Sequence, residues 1–181
     1  MDTPLSKDQQ LFLLQLARKA IVSYLEKGKP PKIIPDDKML QEKRGAFVTL
    51  KVNDQLRGCI GYPLPLKPLY ETIIDAAISA ATQDFRFQSI KLEELPKTRI
   101  EISVLSLPKS IKDTSEIEVG KHGIIISKGL NKGLLLPQVP TEYGWDRDTY
   151  LNHGCLKAGL EQEAWRKGVH IEVFSAQVFS D

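Results

Sequence analysis

Arg44-Gly45-Ala46-Phe47-Val48-Thr49-Leu50-Lys51-Val52, then Asn53-Asp54-Gln55, then Leu56-Arg57-Gly58-Cys59-Ile60-Gly61: the reading of this run decides the fold. Two alternating arms flank a polar turn, which is the pattern of a β-hairpin. Its register follows from the side chains. A two-residue turn at Asn53-Asp54 would set Val48 opposite Cys59 and Leu50 opposite Arg57, mixing apolar and charged groups on one face. A three-residue turn over Asn53-Asp54-Gln55 instead pairs Val52 with Leu56, Leu50 with Gly58 and Val48 with Ile60. Since a one-residue slip exchanges the two faces, the apolar match selects the longer turn. Val48, Leu50, Leu56 and Ile60 then face the core. Thr49 lies opposite Cys59, and Lys51 opposite Arg57, on the other face.

Outward from the hairpin, the N-terminal part reads as helix. Ser6 and Gln9 form a capping box, Leu13, Leu16, Ala17, Ala20, Ile21, Tyr24 and Leu25 follow at helical spacing, and Gly28 supplies the stop. Pro30, Pro31 and Pro35 keep the next segment extended. Residues 38–43 have no pattern that assigns them. After the hairpin, Pro68 opens a second helix running to about Gln83, with Leu69, Ile73, Ala76, Ala77 and Ala80 on one face. A helical turn near Leu92 leads into Arg99-Ile100-Glu101-Ile102-Ser103-Val104, which alternates as a half-buried strand.

Residues 123–128 and 133–136 read as another hairpin, turning through Gly129-Leu130-Asn131-Lys132 and ended by Pro137-Gln138-Val139-Pro140. Asp146 caps a helix carrying Tyr150, Leu151, Cys155 and Leu156, which stops at Gly159. A helical turn or two over 161–167 precedes a final strand over 169–174, with a continuation toward Phe179. Strands in hairpins with helices between them, and no βαβ alternation, give an α+β class with a mainly antiparallel sheet flanked by helices.

The chain has 181 residues, a length for one domain or one domain with a smaller lobe. Lys+Arg 25 against Asp+Glu 23 leaves a net charge of +2, which disfavours a nucleic-acid binder. Met1-Asp2-Thr3-Pro4 shows no secretory leader, and no apolar run is long enough for a bilayer. Two cysteines 96 positions apart form neither a C-x-x-C nor a metal-finger spacing. A cytoplasmic protein with two reduced thiols is expected, and no disulfide between Cys59 and Cys155.

Cys59 is the sharpest candidate for chemistry. Arg57 beside it would favour the thiolate, the nucleophilic form, yet no histidine or third orienting residue accompanies it in sequence. Free cysteine is also a common core residue, so the structural and chemical readings both stand. Glycine weakens a strand unless something approaches its backbone, so Gly58 and Gly61 mark a close approach. Asp84 and Arg86 either bind a ligand or tie the helix exit to a neighbouring strand, and Arg57 with Arg86 would suit an anion. Gln138 either presents an amide to a pocket or satisfies loop backbone. Trp145 and Trp165 read as packing residues. Cys59, Cys155, His122, His153 and His170 lack ligand spacing, so no metal site is expected. Phosphate loops and Ser/His/Asp sets are absent.

These residues together resemble the AMMECR domain family, named after the AMME-syndrome critical region protein. The resemblance rests on Leu56-Arg57-Gly58-Cys59-Ile60-Gly61 and on further blocks in the same order. These are the 44–50 arm, Asp84-Phe85-Arg86-Phe87, Glu101-Ile102-Ser103-Val104-Leu105, Gly133-Leu134-Leu135-Leu136-Pro137-Gln138-Val139, and Lys157-Ala158-Gly159-Leu160 followed by Trp165. It covers nearly the whole chain and implies a single domain of this type over 1–181, an α+β fold with a larger and a smaller subdomain, and a site around Arg57 to Gly61. In that site Cys59 is the candidate catalytic residue. Arg57, Gly58, Gly61, Thr49, Asp84, Arg86 and Gln138 are the candidate ligand-binding residues. Archaeal and bacterial relatives are associated with, or fused to, Memo-like and radical-SAM proteins, which implies a protein partner and a shared thiol- or cofactor-dependent modification pathway. A non-catalytic module presenting the same motif to a partner is the alternative. No cofactor, substrate or oligomeric state is read from the sequence.

Overall fold

The computed structural model describes residues 4–181; Met1, Asp2 and Thr3, read above for the lack of a leader, lie outside the described residues. The chain divides into two compact units, a larger one of Met1–Leu105 with Gln177–Asp181 and a smaller one of Ser106–Ala176. The smaller unit is thus an insertion between two strands of the larger. Each unit carries its own four-stranded sheet, so the α+β class holds with two sheets in place of one.

In the larger unit, helix α1 (Lys7–Lys27) begins at the Ser6–Gln9 capping box and ends at Gly28, whose φ of 65° is left-handed. The short helix α2 (Lys38–Gln41) occupies part of the stretch that had no sequence pattern. Strands β1 (Ala46–Val52), β2 (Gln55–Tyr62), β3 (Thr98–Leu105) and β8 (Ala176–Ser180) form one sheet in the order β2-β1-β3-β8. Helix α3 (Leu69–Thr82) packs with α1 on one face of it. Leu13, Leu16, Ala17, Val48, Leu50, Ile73, Ala77, Ile100 and Ile102 fill the space between and are fully or almost fully buried. A short 3₁₀ turn, Leu92–Lys97, leads into β3.

The hairpin combines the two registers weighed above. Val48 pairs with Ile60, Thr49 with Cys59 and Leu50 with Gly58, but Lys51 pairs with Leu56 and Val52 with Gln55. The turn is therefore two residues, Asn53 and Asp54, both left-handed at φ 51° and 60°. That is the turn whose twist suits a tight hairpin. One extra residue, Arg57, is then bulged out of β2 and restores the apolar match beyond it. Two expectations are corrected by this. Lys51 faces Leu56 and not Arg57, and Leu56 is 41% exposed instead of sitting in the core.

The smaller unit has β4 (Lys109–Ser110), β5 (Gly123–Lys128), β6 (Asn131–Leu135) and β7 (His170–Phe174) in the order β4-β7-β5-β6. The β5–β6 turn is only Gly129-Leu130, so Asn131 and Lys132 belong to the strand and not to the turn. Pro137 and the residues after it end the hairpin as expected, and helix α4 (Gln138–Glu142) forms there; Pro140 lies in its first turn, where a missing N–H costs nothing. Helix α5 (Arg147–Lys157) starts on Asp146, whose carboxylate accepts the Thr149 N–H at 2.8 Å. Tyr150, Leu151 and Cys155 are buried on Ile124 and Ile126, whereas Leu156 is exposed. A 3₁₀ turn, Ala164–Lys167, precedes β7. The expected final strand is two strands in two sheets, because the chain leaves the smaller unit between β7 and β8. At that exit Ser106 and Ser175 hold each other, Ser106 N–H donating to the Ser175 carbonyl and Ser175 N–H to Ser106 Oγ, both at 2.9 Å.

Candidate functional site

β2 is an edge strand, and Cys59 sits near its middle. Its partner in β1 is Thr49, and the Thr49 hydroxyl donates to Cys59 Sγ at 3.2 Å on the sheet face away from α3. Both side chains are half-buried. Alternation along β1 places Lys51 on the same face, where its ammonium pairs with Glu101 of β3 at 2.9 Å. Thiol, hydroxyl, ammonium and carboxylate therefore share one face across three neighbouring strands.

An edge strand has backbone groups with no strand to pair with. At Cys59 they are met by side chains. The Cys59 N–H donates to Asp84 Oδ2 at 2.9 Å, and the Cys59 carbonyl accepts from Arg86 Nη2 at 3.5 Å. Asp84 itself is buried and chelates Arg86 through two bonds, Nε to Oδ1 at 2.9 Å and Nη2 to Oδ2 at 2.7 Å. The Arg86 backbone N–H adds a third at 3.2 Å. The Arg86 guanidinium, followed by the Cys59 and Arg86 N–H donors, holds the Asp84 carboxyl well below the usual carboxylate range against the opposing effect of burial. Asp84 in turn raises the Arg86 guanidinium. The Asp84–Arg86 pair thus stands where the next strand would be, tying the exit of α3 to β2.

Arg57, the bulged residue, turns away from this group. Its Nε and Nη2 meet the Glu94 carboxylate at 3.1 and 3.3 Å, and Nη1 donates to the Gln88 carbonyl at 2.6 Å. The guanidinium lowers the Glu94 carboxyl, with help from the Lys91 N–H. Arg57 and Arg86 are therefore each matched to a carboxylate and do not jointly form an anion clamp. Gly58 and Gly61 carry backbone requirements. A Cβ on Gly58 would lie 2.1 Å from the Ala80 carbonyl oxygen of α3, and one on Gly61 would lie 2.2 Å from the Phe47 ring. Gln138 lies in the smaller unit, exposed, at the start of α4, and its carbonyl accepts from the Thr141 hydroxyl at 2.6 Å.

The thiols are free: Cys59 half-buried in one unit, Cys155 buried in the other, with burial raising the Cys155 thiol. His122 accepts the Glu118 N–H, His153 stacks on Trp145 at 3.8 Å between centroids, and His170 meets the Ser110 hydroxyl at 3.2 Å. Trp145 and Trp165 pack against the core of the smaller unit. Among the described residues no three His, Cys, Asp or Glu side chains gather to hold a metal ion, and no helix is long and apolar enough to cross a membrane.

Two participants were not singled out in the sequence. Glu94 lies 37 residues from Arg57, and nothing local marks it. Glu101 was legible from the alternation of its strand, which puts it on the face opposite Ile100 and Ile102.

Comparison with known proteins agrees with this architecture. A family model, AMMECR1, matches residues 14–179. A protein of Methanopyrus kandleri is 49% identical over 191 residues, which is 100% of this chain and 92% of its own. One from Methanosarcina barkeri is 45% identical over 93% of this chain and 88% of its own. The crystal structure of an uncharacterized protein from Pyrococcus horikoshii superposes with a TM-score of 0.78 at 43% identity, covering 94% of this chain and 90% of that one. Sequence, fold and ordered motif blocks converge: the chain belongs to the AMMECR1 family.

Proposed function

We propose that this AMMECR1-family protein is a component of a thiol-dependent modification pathway and works with Memo-like and radical-SAM proteins, with Cys59 as its working group. One observation carries the reading. The Cys59 sulfur is half-buried on a polar sheet face, hydrogen-bonded by Thr49, while its backbone is fixed by Asp84 and Arg86. A thiol placed as filler belongs on the other face, with Ile60 and Gly58 against α3. The link to the two partner classes rests on the resemblance alone.

The test is alkylation of the native protein with iodoacetamide near neutral pH, read by peptide mass mapping. Cys59 is expected to react well before Cys155. Cys59→Ser keeps the Thr49 hydrogen bond, so its melting midpoint stays near the wild type, while modification in a mixture with purified Memo-like and radical-SAM relatives is lost. Protection of Cys59 until global unfolding, or full function of the serine variant, would overturn the reading.

A second reading, the non-catalytic interaction module, is favoured by a different observation. Arg57 and Arg86 already hold carboxylates, and no imidazole hydrogen-bonds the Cys59 sulfur among the described residues. Under it, Cys59→Ser leaves partner binding unchanged.

A further inference from the structure

Independently of the reading above, the geometry points to the open edge of β6 as a docking site for an extended, acidic segment of another protein. That segment adds to the smaller sheet as a further strand.

The register of the β5–β6 hairpin fixes which backbone groups are available. Its turn is Gly129-Leu130, so Lys128 and Asn131 are the hydrogen-bonded pair that closes a two-residue loop. Bonded and non-bonded pairs then alternate along an antiparallel ladder. Ile126 with Gly133 and Ile124 with Leu135 are bonded pairs, whereas Ser127 with Lys132 and Ile125 with Leu134 are not. The N–H and carbonyl of Lys132, and those of Leu134, therefore point away from β5. β6 is the last strand of its sheet, and no other segment bonds to these four groups among the described residues. The contrast with β2 lies within the same chain. There the outward backbone of Cys59 is met by Asp84 and Arg86, and β6 has no such cap. Two donor–acceptor pairs about 6.7 Å apart are the repeat that an added strand matches.

Charge decides the kind of strand. Lys132 lies on the edge itself, and Lys128 is the partner of Asn131. The Lys157 backbone lies against Gly133, where an added Cβ would come within 2.6 Å of its carbonyl carbon. All three ammoniums are exposed, and none is in an ion pair among the described residues. The adjoining turn brings one carboxylate: Glu161 lies just past Gly159, whose carbonyl accepts from Asn131 Nδ2 at 3.3 Å. Three cations against one anion leave the rim positive.

Lysines on an edge strand keep like strands apart. A second copy would bring the same lysines against these and is repelled, whereas a strand carrying Glu or Asp is drawn in. A nucleic acid would match the charge, but its phosphates only accept hydrogen bonds and leave the two outward carbonyls unserved. Leu134, half-buried on the same sheet face as Lys132, adds an apolar contact for a β-branched residue of the incoming strand.

The test uses the full chain and a fluorescein-labelled octapeptide of alternating Glu and Val. Saturable binding is expected, with a dissociation constant between about 10 µM and about 1 mM. In the complex, amide exchange read by NMR should slow at least about tenfold at Lys132 and Leu134, while Gly133, already in the ladder, changes little. Lys132→Gln removes the charge alone and should weaken binding about two- to fivefold. Lys132→Pro also removes an outward N–H, which the fold tolerates because that group has no place in the β5–β6 ladder. Its tryptophan-fluorescence melt should match the wild type while binding falls at least about tenfold. If the proline variant does not fold, the exchange pattern of the wild type decides. No saturable binding below about 1 mM, or binding without slowed exchange at Lys132 and Leu134, would overturn the proposal. So would equal binding of a Lys and Val octapeptide or of an oligothymidylate, or a folded Lys132→Pro that binds like the wild type.

Discussion

Replacing Asp84 with alanine removes the group that stands in for a neighbouring strand at the edge of β2, and its cost can be worked from the contacts. The Cys59 N–H loses a charged acceptor at 2.9 Å. A hydrogen bond to a charged group contributes about 1.5–3 kcal/mol, and partial access of water at the strand edge places this one at the lower limit, about 1.5 kcal/mol. The Arg86 pair is bidentate, but the guanidinium is 46% exposed and regains water when released. Solvent screening therefore discounts it to about 0–1 kcal/mol. Loss of the Asp84 Oδ1 contact to the Arg86 N–H loosens the turn at the exit of α3 by a further few tenths. The total is about 2–3 kcal/mol, or a fall of about 1–1.5 M in urea midpoint for an m-value of about 2 kcal/mol/M.

The assay has to watch the right unit. Both tryptophans, Trp145 and Trp165, lie in the smaller unit, so their fluorescence does not report on β2. Amide hydrogen exchange of peptides from β1, β2 and β3, followed by mass spectrometry across a urea series, does, with peptides from β5 and β7 as the internal marker of the smaller unit. The pH dependence supplies a second arm. Because the folded Asp84 carboxyl is held below its unfolded value, its contribution is fully present above about pH 4–5 and is lost as the pH falls further. The gap between wild type and Asp84→Ala should therefore be widest near neutrality and shrink toward pH 2. A variant within about 0.5 kcal/mol of wild type at pH 7, or a gap that does not narrow in acid, would refute the edge-capping role.

Gly58→Ala should destabilise the larger unit by about 1–3 kcal/mol, since the new methyl meets the Ala80 carbonyl of α3 and strand and helix must part; hydrogen exchange of the β1–β3 peptides in urea measures it. Asp54→Gly should do the reverse, raising stability by about 0.4–1 kcal/mol, because Asp54 sits at φ 60° in the two-residue turn. The ion pair it gives up with Arg99, at 3.6 Å between exposed groups, contributes little. A lowered urea midpoint for Asp54→Gly would count against the turn assignment. Tyr150→Phe should cost the smaller unit about 1–3 kcal/mol by tryptophan fluorescence, as one buried hydroxyl serves the carbonyls of His122, Leu135 and Leu136.

What the sequence made legible was set by local chemistry. The capping box at Ser6 and Gln9, the Gly28 stop and the Asp146 cap are short-range hydrogen bonds, and the pattern alone places them. The pairing of Val48 with Ile60 and of Thr49 with Cys59 followed from which face must be dry. The turn did not, because two demands compete there. Asn53-Asp54 prefers a two-residue left-handed turn, and the apolar pattern requires an odd residue; the bulge at Arg57 satisfies both, held by Glu94 far along the chain. No window around residue 57 contains that partner. The split of the last strand has the same character: residues 170–180 contain no Gly or Pro to mark a break, and the Ser106–Ser175 hydrogen bonds mark where one sheet ends. At the candidate site, Thr49 beside Cys59 was legible from register, whereas the contact of a buried Asp84 with the Cys59 N–H is tertiary and no local pattern shows it.

The motif itself divides into residues that the architecture requires and one that it does not. Gly58 is fixed by the carbonyl of Ala80, Gly61 by the Phe47 ring, and Arg57 by the bulge and its carboxylate. Ile60 packs on the core of the larger unit. Asp84 and Arg86 complete the open edge of β2 through backbone atoms, which any residue but proline would offer at position 59. The side chain at 59 is different. It contributes a sulfur to a polar, half-buried face, where it accepts a hydrogen bond from Thr49 that a serine would accept as well. Neither packing nor backbone pairing selects a thiol there. The role proposed for Cys59 would use this placement: on the outer face, with the strand edge clamped on both backbone atoms of the same residue, a reactive side chain would be held in one position and left open to a second molecule.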